Sequence, residues 1–120
     1  LLKTIDPSAK IKLGNFILNF ITTTHSIPEP YAITIDTKYG KLLHTADWKI
    51  DQNPTLGDAF DIDSFKKLGN DGLLALIGDS TNADVPGFSK SEGEVRDELI
   101  KDKKFINNLS EAQAINIFYE

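Results

Sequence analysis

Several absences narrow what this chain can do. The 120 residues include no cysteine and no methionine. Without cysteine there is no disulfide, no thiolate metal site and no cysteine nucleophile, so any bound metal must be held by His, Asp or Glu. No apolar run approaches the roughly 18 residues of a membrane span. The first ten residues also lack the pattern of a secretory signal, so we expect a cytoplasmic protein.

Positive charge is also in short supply. Eighteen acidic residues against 13 basic ones give a formal net charge of -5. Phosphate binding usually needs a basic surface, so an RNA-binding role would require basic surface from elsewhere. An apolar content of 40% in 120 residues suits one small domain. The missing methionine, absent even at position 1, suggests a fragment of a longer protein.

The first half of the chain has the pattern of two β-hairpins. "IKLG" and "NFILNFITTT" are β-prone runs joined at Gly14-Asn15, and "YAITIDT" and "GKLLHTAD" turn at residues 38–40. Between the two pairs, "SIPEP" contains two prolines and predicts a stiff loop outside any regular ladder.

The second half changes to helical spacing. "DIDSFKKLGNDG" predicts a short amphipathic helix with possible caps at Asp61 and Asp63 and a stop at Gly69. "LLALIG" predicts a strand buried on both faces, followed by the polar "DSTN". Ser91 and Glu94 form a capping box for a helix over "SEGEVRDELIKDKKF". The tail "NNLSEAQAINIFYE" fits a helix and a strand equally well.

Three polar residues stand where predicted strands end. His25 follows "ITTT", Asp47 follows "LLHTA" and Asp79 follows "LLALIG". A rigid sheet can present such side chains to a ligand, although a lone His is often simply hydrogen-bonded and an Asp at a strand end often caps a turn. For Asp79 the two readings are a carboxylate that orients a catalytic histidine and a residue that satisfies backbone groups in a turn.

Other polar residues favour a structural reading. His44 precedes Asp47 by three, which places the two on opposite faces of a continuous strand. The remaining acidic and amide clusters lack the spacing of a calcium loop and read as caps or solvated loops; they comprise Asp58, Asp61, Asp63, Asn70 and Asp71. No GxSxG, P-loop or HExxH motif is present.

Taken in order, "THSIP", "HTADWKID" and "GDSTNADVPGFSKSEGEV" closely resemble the motifs THSIP, HTGDFKxD and SDSTN…PGxTxSE of the ribonuclease J family. That family lies in the β-CASP branch of the metallo-β-lactamase superfamily. The resemblance runs from about Ile5 to Val95. It implies an α/β (α+β) fold, a partial αββα sandwich of β-hairpins followed by a helix, a buried strand and a helix. Residues 1–88 would then belong to the metallo-β-lactamase domain and 89–120 to the start of the β-CASP segment or a divergent tail.

The resemblance also implies roles for the three polar residues. His25 falls on the position of a ligand to one zinc, Asp47 on the carboxylate that bridges two zinc ions, and Asp79 on an acid that supports a histidine of a later motif. The implied activity is metal-dependent hydrolysis of RNA phosphodiesters, both 5′ exonucleolytic and endonucleolytic, in RNA maturation and decay. The intact enzyme would be a homo-oligomer and not a membrane protein.

Two parts of the family pattern are not matched. The HxHxDH signature, which supplies most of the zinc ligands, is absent, and the other domain halves are missing. We therefore expect the chain to be inactive alone. Ala46 replaces the usual Gly beside Asp47, and Trp48 the usual Phe; the added methyl matters if that position needs positive φ. Two alternatives stay open, a non-catalytic remnant that acts as an interaction module and a DNA-processing relative.

Overall fold

The computed structural model describes residues 4–101, which contain one five-stranded sheet and two helices. The strands are β1 (Ile11–Leu13), β2 (Phe16–Thr22), β3 (Tyr31–Thr37), β4 (Gly40–His44) and β5 (Ala75–Ile77). The helices are α1 (Ile62–Asp71), between β4 and β5, and α2 (Glu92–Lys101), after β5. The predicted α/β class and the predicted order of elements are confirmed.

The sheet follows the chain from one edge to the other, in the order β1-β2-β3-β4-β5. Both predicted hairpins form: β1 pairs antiparallel with β2 around Gly14, whose φ is +59°, and β3 pairs antiparallel with β4. β5 joins β4 in parallel, after the crossover through α1. Parallel neighbours bring the carboxyl ends of β4 and β5 to the same rim, where Asp47 and Asp79 follow.

A small core forms where α1 packs on one face of the sheet. Leu68 of α1 lies against Ala32 and Leu43, with Ile21, Phe65 and Leu73 at the edge of the cluster. Ile21 and Ala32 are register partners, and Leu43 is the partner of Thr34, so these residues share one face. Neither helix in the described part of the chain is long and apolar enough to cross a bilayer.

The helix boundaries are set by caps. Asp61 is the N-cap of α1 and accepts a hydrogen bond from Ser64 N at 3.0 Å, whereas Asp63 lies inside the helix. Gly69 also lies inside, so its prediction as the stop is wrong. The helix ends at Asp71 and is capped by Gly72, whose φ of +84° suits a residue without Cβ and whose N–H donates to Leu68 O.

The predicted burial of β5 is wrong. Leu74, Leu76 and Ile77 are exposed, and all three residues of the strand have exposed side chains. Within residues 4–101, α1 packs on the faces of β2, β3 and β4, and β5 forms the edge of the sheet. The strand therefore gains pairing from one neighbour and little cover from a helix.

α2 is attached to the rest of the fold through its first turn. The predicted capping box is confirmed, since Ser91 N donates to Glu94 Oε2 at 2.8 Å and Glu94 N donates to Ser91 Oγ at 3.0 Å. Gly93 N donates to Asn53 O at 2.9 Å. The tail over 107–120 and the end of the predicted helix from residue 102 onward lie outside the described residues. The boundary at 88/89 stays a prediction.

Candidate functional site

His25 lies just beyond the end of β2, in the proline-containing loop. Thr23 N donates to Pro30 O at 3.1 Å and continues the β2–β3 pairing by one position. Residues 25–30 lie outside any strand, as predicted for this loop. His25 is half-buried, and its Nδ1 lies 3.4 Å from Ser26 Oγ, at the long limit for a hydrogen bond. A cavity of about 130 Å³ opens beside the ring, with Glu29 and Asp58 also in its lining.

Asp47 lies in the turn that follows β4. The strand ends at His44, whose Nδ1 accepts a hydrogen bond from Ala46 N at 3.1 Å. His44 thus helps to form the turn, in agreement with its structural interpretation. Ala46 has a φ of +54°, the left-handed region, and Asp47 follows it with an exposed side chain.

A short antiparallel bridge joins the segments that carry His25 and Asp47. Thr24 and Lys49 form this bridge, with Lys49 N donating to Thr24 O at 2.8 Å and Thr24 Oγ1 donating to Lys49 O. His25 directly follows Thr24, and Asp47 precedes Lys49 by two residues. The sheet therefore brings the two residues, 22 positions apart in sequence, to neighbouring segments at one rim.

Asp79 occupies a turn at the same rim. Its Oδ1 accepts hydrogen bonds from Thr81 N at 3.0 Å and from Thr81 Oγ1 at 2.5 Å. The hydrogen bonds from Thr81, side chain first, lower the pKa of the Asp79 carboxyl by more than partial burial raises it. Of the two interpretations of Asp79 that the sequence left open, the turn role is present in the structure, and the support of a histidine stays a prediction.

Sequence reasoning missed Asp51, the most connected carboxylate of this region. It is 2% exposed, and its Oδ2 lies 3.2 Å from Lys49 Nζ and accepts from Glu92 N at 2.8 Å. Asn53 N donates to Oδ1 at 2.9 Å, and the Asp51 N–H donates to Thr24 Oγ1 at 3.1 Å. Asp51 closes the quoted "HTADWKID", which is the only sequence signal that singles it out.

The left-handed conformation of Ala46 gives a stability prediction. An L-residue pays roughly 1–2 kcal/mol for this conformation, and glycine does not. We expect Ala46→Gly to raise the free energy of unfolding by about 0.5–1 kcal/mol, after subtracting the greater entropy of glycine in the unfolded chain. Urea denaturation followed by Trp48 fluorescence would measure it.

The matched control is Ala75→Gly, at an exposed position of β5 with no left-handed backbone. This variant should lose stability, because glycine weakens a strand. Equal losses in both variants would contradict the strain assigned to Ala46.

Comparison with curated proteins gives consistent matches. The chain is 46% identical over 92 residues to ribonuclease J of Sinorhizobium meliloti, which covers 77% of this chain and 16% of that protein. It is 42% identical over 95 residues to ribonuclease J of Synechocystis sp., and the match covers 78% of this chain and 15% of that protein. Ribonuclease J2 of Bacillus subtilis is 34% identical over 124 aligned positions, and the match covers 95% of this chain and 22% of that protein.

The chain therefore spans less than a quarter of the length of each of these relatives. No protein-family model matches the chain.

Proposed function

We propose, proceeding from the relationship of this chain to a segment of ribonuclease J, that it carries part of the active site of a metal-dependent RNA phosphodiester hydrolase. The observation that supports this most is the Thr24–Lys49 bridge, because it brings the segments of His25 and Asp47 together at one rim of the sheet. The RNA substrate and the exonucleolytic and endonucleolytic modes are part of the proposal.

The donor types at the rim suit zinc, but their number does not. Zinc takes imidazole nitrogen and carboxylate oxygen, usually four ligands in all. Within residues 4–101, no three His, Asp or Glu side chains come close enough to hold a metal ion. The described residues therefore do not make a zinc site by themselves. In the proposal, His25 and Asp47 supply two of the ligands of a two-zinc centre, and other residues supply the rest.

Asp79 has a different part in the proposal. The hydrogen bonds from Thr81 lower its pKa, so the group at the rim is a carboxylate and a hydrogen-bond acceptor. Thr81 donates to Oδ1, and Oδ2 can accept an N–H from another group. A carboxylate that accepts from a histidine ring fixes the tautomer and orientation of that ring. This is the role that we propose for Asp79.

The charge of the chain limits how it could hold RNA. The net charge of -5 would repel the phosphate backbone, and both carboxylates at the rim add to that repulsion. Cations are needed to bring a phosphodiester to this rim, either metal ions or basic residues from another part of the protein. Metal ions held in part by His25 and Asp47 would supply such positive charge beside the phosphate.

We therefore expect the purified 120-residue chain to be inactive. A 5′-monophosphorylated RNA incubated with the chain and Zn²⁺ or Mn²⁺ should remain uncleaved, because each metal would lack most of its ligands. Denaturing gel electrophoresis of labelled RNA would measure this. The matched control is Asp47→Asn, which removes a carboxylate proposed to bind metal. Cleavage that is abolished both by a chelator and by this substitution would contradict the predicted inactivity and would locate activity in the chain itself.

A further inference from the structure

Side chains form hydrogen bonds to both the backbone N–H and the backbone carbonyl of Asp79. Asp79 N donates a hydrogen bond to Thr45 Oγ1 at 3.1 Å. Trp48 Nε1 donates to Asp79 O at 3.3 Å. Thr45 and Trp48 flank Ala46 and Asp47, so the two bonds connect the Asp79 turn to both ends of the turn that carries Asp47.

Both side chains that make these bonds are fixed by their surroundings. Thr45 is 1% exposed, and its hydroxyl donates to Ala46 O at 2.8 Å, which leaves the oxygen free to accept from Asp79. The Trp48 ring is stacked on Phe65, with centroids 6.1 Å apart and an interplanar angle of 8°. It also contacts Phe60 at 5.9 Å. The direction of the indole N–H is therefore set by packing against Phe65 of α1 and against Phe60, which precedes the N-cap of that helix.

The strand ladder alone does not account for this arrangement. The β4–β5 pairing ends with Thr45 N donating to Ile77 O at 3.0 Å. Gly78 follows, and the chain then leaves the ladder. From Asp79 onward the position of the turn depends on side chains, of which Thr45 and Trp48 reach its backbone.

We propose that Thr45 and Trp48 are positioning residues, a two-point clamp that holds the Asp79 turn at a fixed place beside the Asp47 turn. This inference rests on the proposed function and deepens it, because it identifies the residues that fix Asp47 and Asp79 relative to each other. A clamp of this kind acts on geometry and does not itself contact substrate. Its value to the site is that a carboxylate must be held within a fraction of an ångström of its working position.

Amide hydrogen exchange of the full chain, followed by NMR, tests the clamp. Thr45→Val removes the hydroxyl at nearly constant volume, and Trp48→Phe removes the indole N–H while keeping an aromatic ring. In each variant we expect the Asp79 and Thr81 amides to exchange about tenfold faster, the effect of losing one net hydrogen bond. The Thr81 amide is informative because it is bonded to the Asp79 carboxylate and not to the clamp.

Two controls separate positioning from general stability. Thr45→Ser keeps the hydroxyl and should restore exchange of both amides to within about twofold of the parent chain. Thr37→Val removes a hydroxyl that bonds within the β3–β4 turn and should leave the Asp79 turn unchanged. The amides of Thr34 and Ile35 in the central strand report global unfolding.

Unchanged exchange at Asp79 and Thr81 in both Thr45→Val and Trp48→Phe would overturn the clamp. So would an acceleration shared equally by Thr34 and Ile35, which indicates only a loss of overall stability. If Thr45→Val does not fold, Trp48→Phe decides alone. The measurement uses neither metal nor RNA, so a negative result here leaves the proposed function to the cleavage assay.

Discussion

Replacing Asp51 with Asn should lower the free energy of unfolding by about 2–4 kcal/mol. The carboxylate is nearly inaccessible and holds Lys49, the Asn53 amide and the Glu92 amide at once. An amide in its place turns one acceptor into a donor that faces other donors, and it leaves the Lys49 ammonium without its counter-charge. Urea denaturation at pH 7 with Trp48 fluorescence would measure the loss.

Asp63→Asn is the matched control for Asp51. Asp63 is also a carboxylate beside a lysine, but its side chain is 97% exposed and lies 3.9 Å from Lys66. Exposed pairs contribute little, so this variant should unfold at nearly the parent urea concentration. Similar losses in the two variants would show that the hydrogen bonds and ion pair of Asp51 stabilise the fold no more than an exposed ion pair does.

The same residue makes stability depend on acid pH. Burial alone would raise the pKa of Asp51, but hydrogen bonds from the Glu92 and Asn53 amides and the contact with Lys49 outweigh it, and the pKa lies below its ordinary value of 3.8. The folded state then binds fewer protons than the unfolded state near pH 4. The contribution of Asp51 is complete above about pH 5 and is lost as the pH falls through its folded pKa. Asp51→Asn should remove this part of the acid dependence.

Features that depend on residues close together in the sequence could be predicted, and features that depend on residues far apart could not. The hairpin turn at Gly14 and the Ser91–Glu94 capping box were predictable, because the residues that decide them are neighbours in sequence. The choice between Gly69 and Gly72 as the end of α1 was not, since both fit the local pattern. The exposure of β5 was also beyond local pattern, because it depends on where α1 packs.

The candidate site shows the same division. The positions of His25 and Asp47 beyond strand ends could be read from the sequence. The positive φ on which the effect of a methyl at Ala46 depends is present, at +54°. The hydrogen bonds that Asp51 makes to several segments could not be predicted. Its partners Thr24 and Glu92 lie 27 and 41 positions away, and only the folded chain brings them together.

Gly93 is buried in the first turn of α2, where that turn meets the loop after Asp51. A Cβ built at Gly93 would lie 2.1 Å from Asn53 Nδ2, 2.6 Å from its Cγ and 2.9 Å from its backbone oxygen. The amide of Asn53 can rotate away, but the backbone oxygen cannot move freely because it accepts the Gly93 N–H at 2.9 Å.

Gly93→Ala should therefore push α2 off this loop, even though alanine is the better helix former by up to about 1 kcal/mol. The helix shift would also lengthen the hydrogen bond from Glu92 N to Asp51 and the bonds from Thr55 to Glu92 Oε2. We expect a net loss of about 1–3 kcal/mol, the usual cost of overpacking. Urea denaturation and faster exchange of the Glu92 and Gly93 amides would show it.

Gly69→Ala in α1 is the control that separates helix propensity from contact. Gly69 is exposed inside a helix, and a Cβ there would meet nothing within 4 Å. The same substitution should then stabilise the chain by about 0.5–1 kcal/mol, so the two helical glycines are expected to give opposite signs. If Gly93→Ala also stabilises the chain, the first turn of α2 does not rest on the loop of Asn53. The polar attachment of α2 to Asp51 would then be incorrect as well, because both contacts fix the same turn.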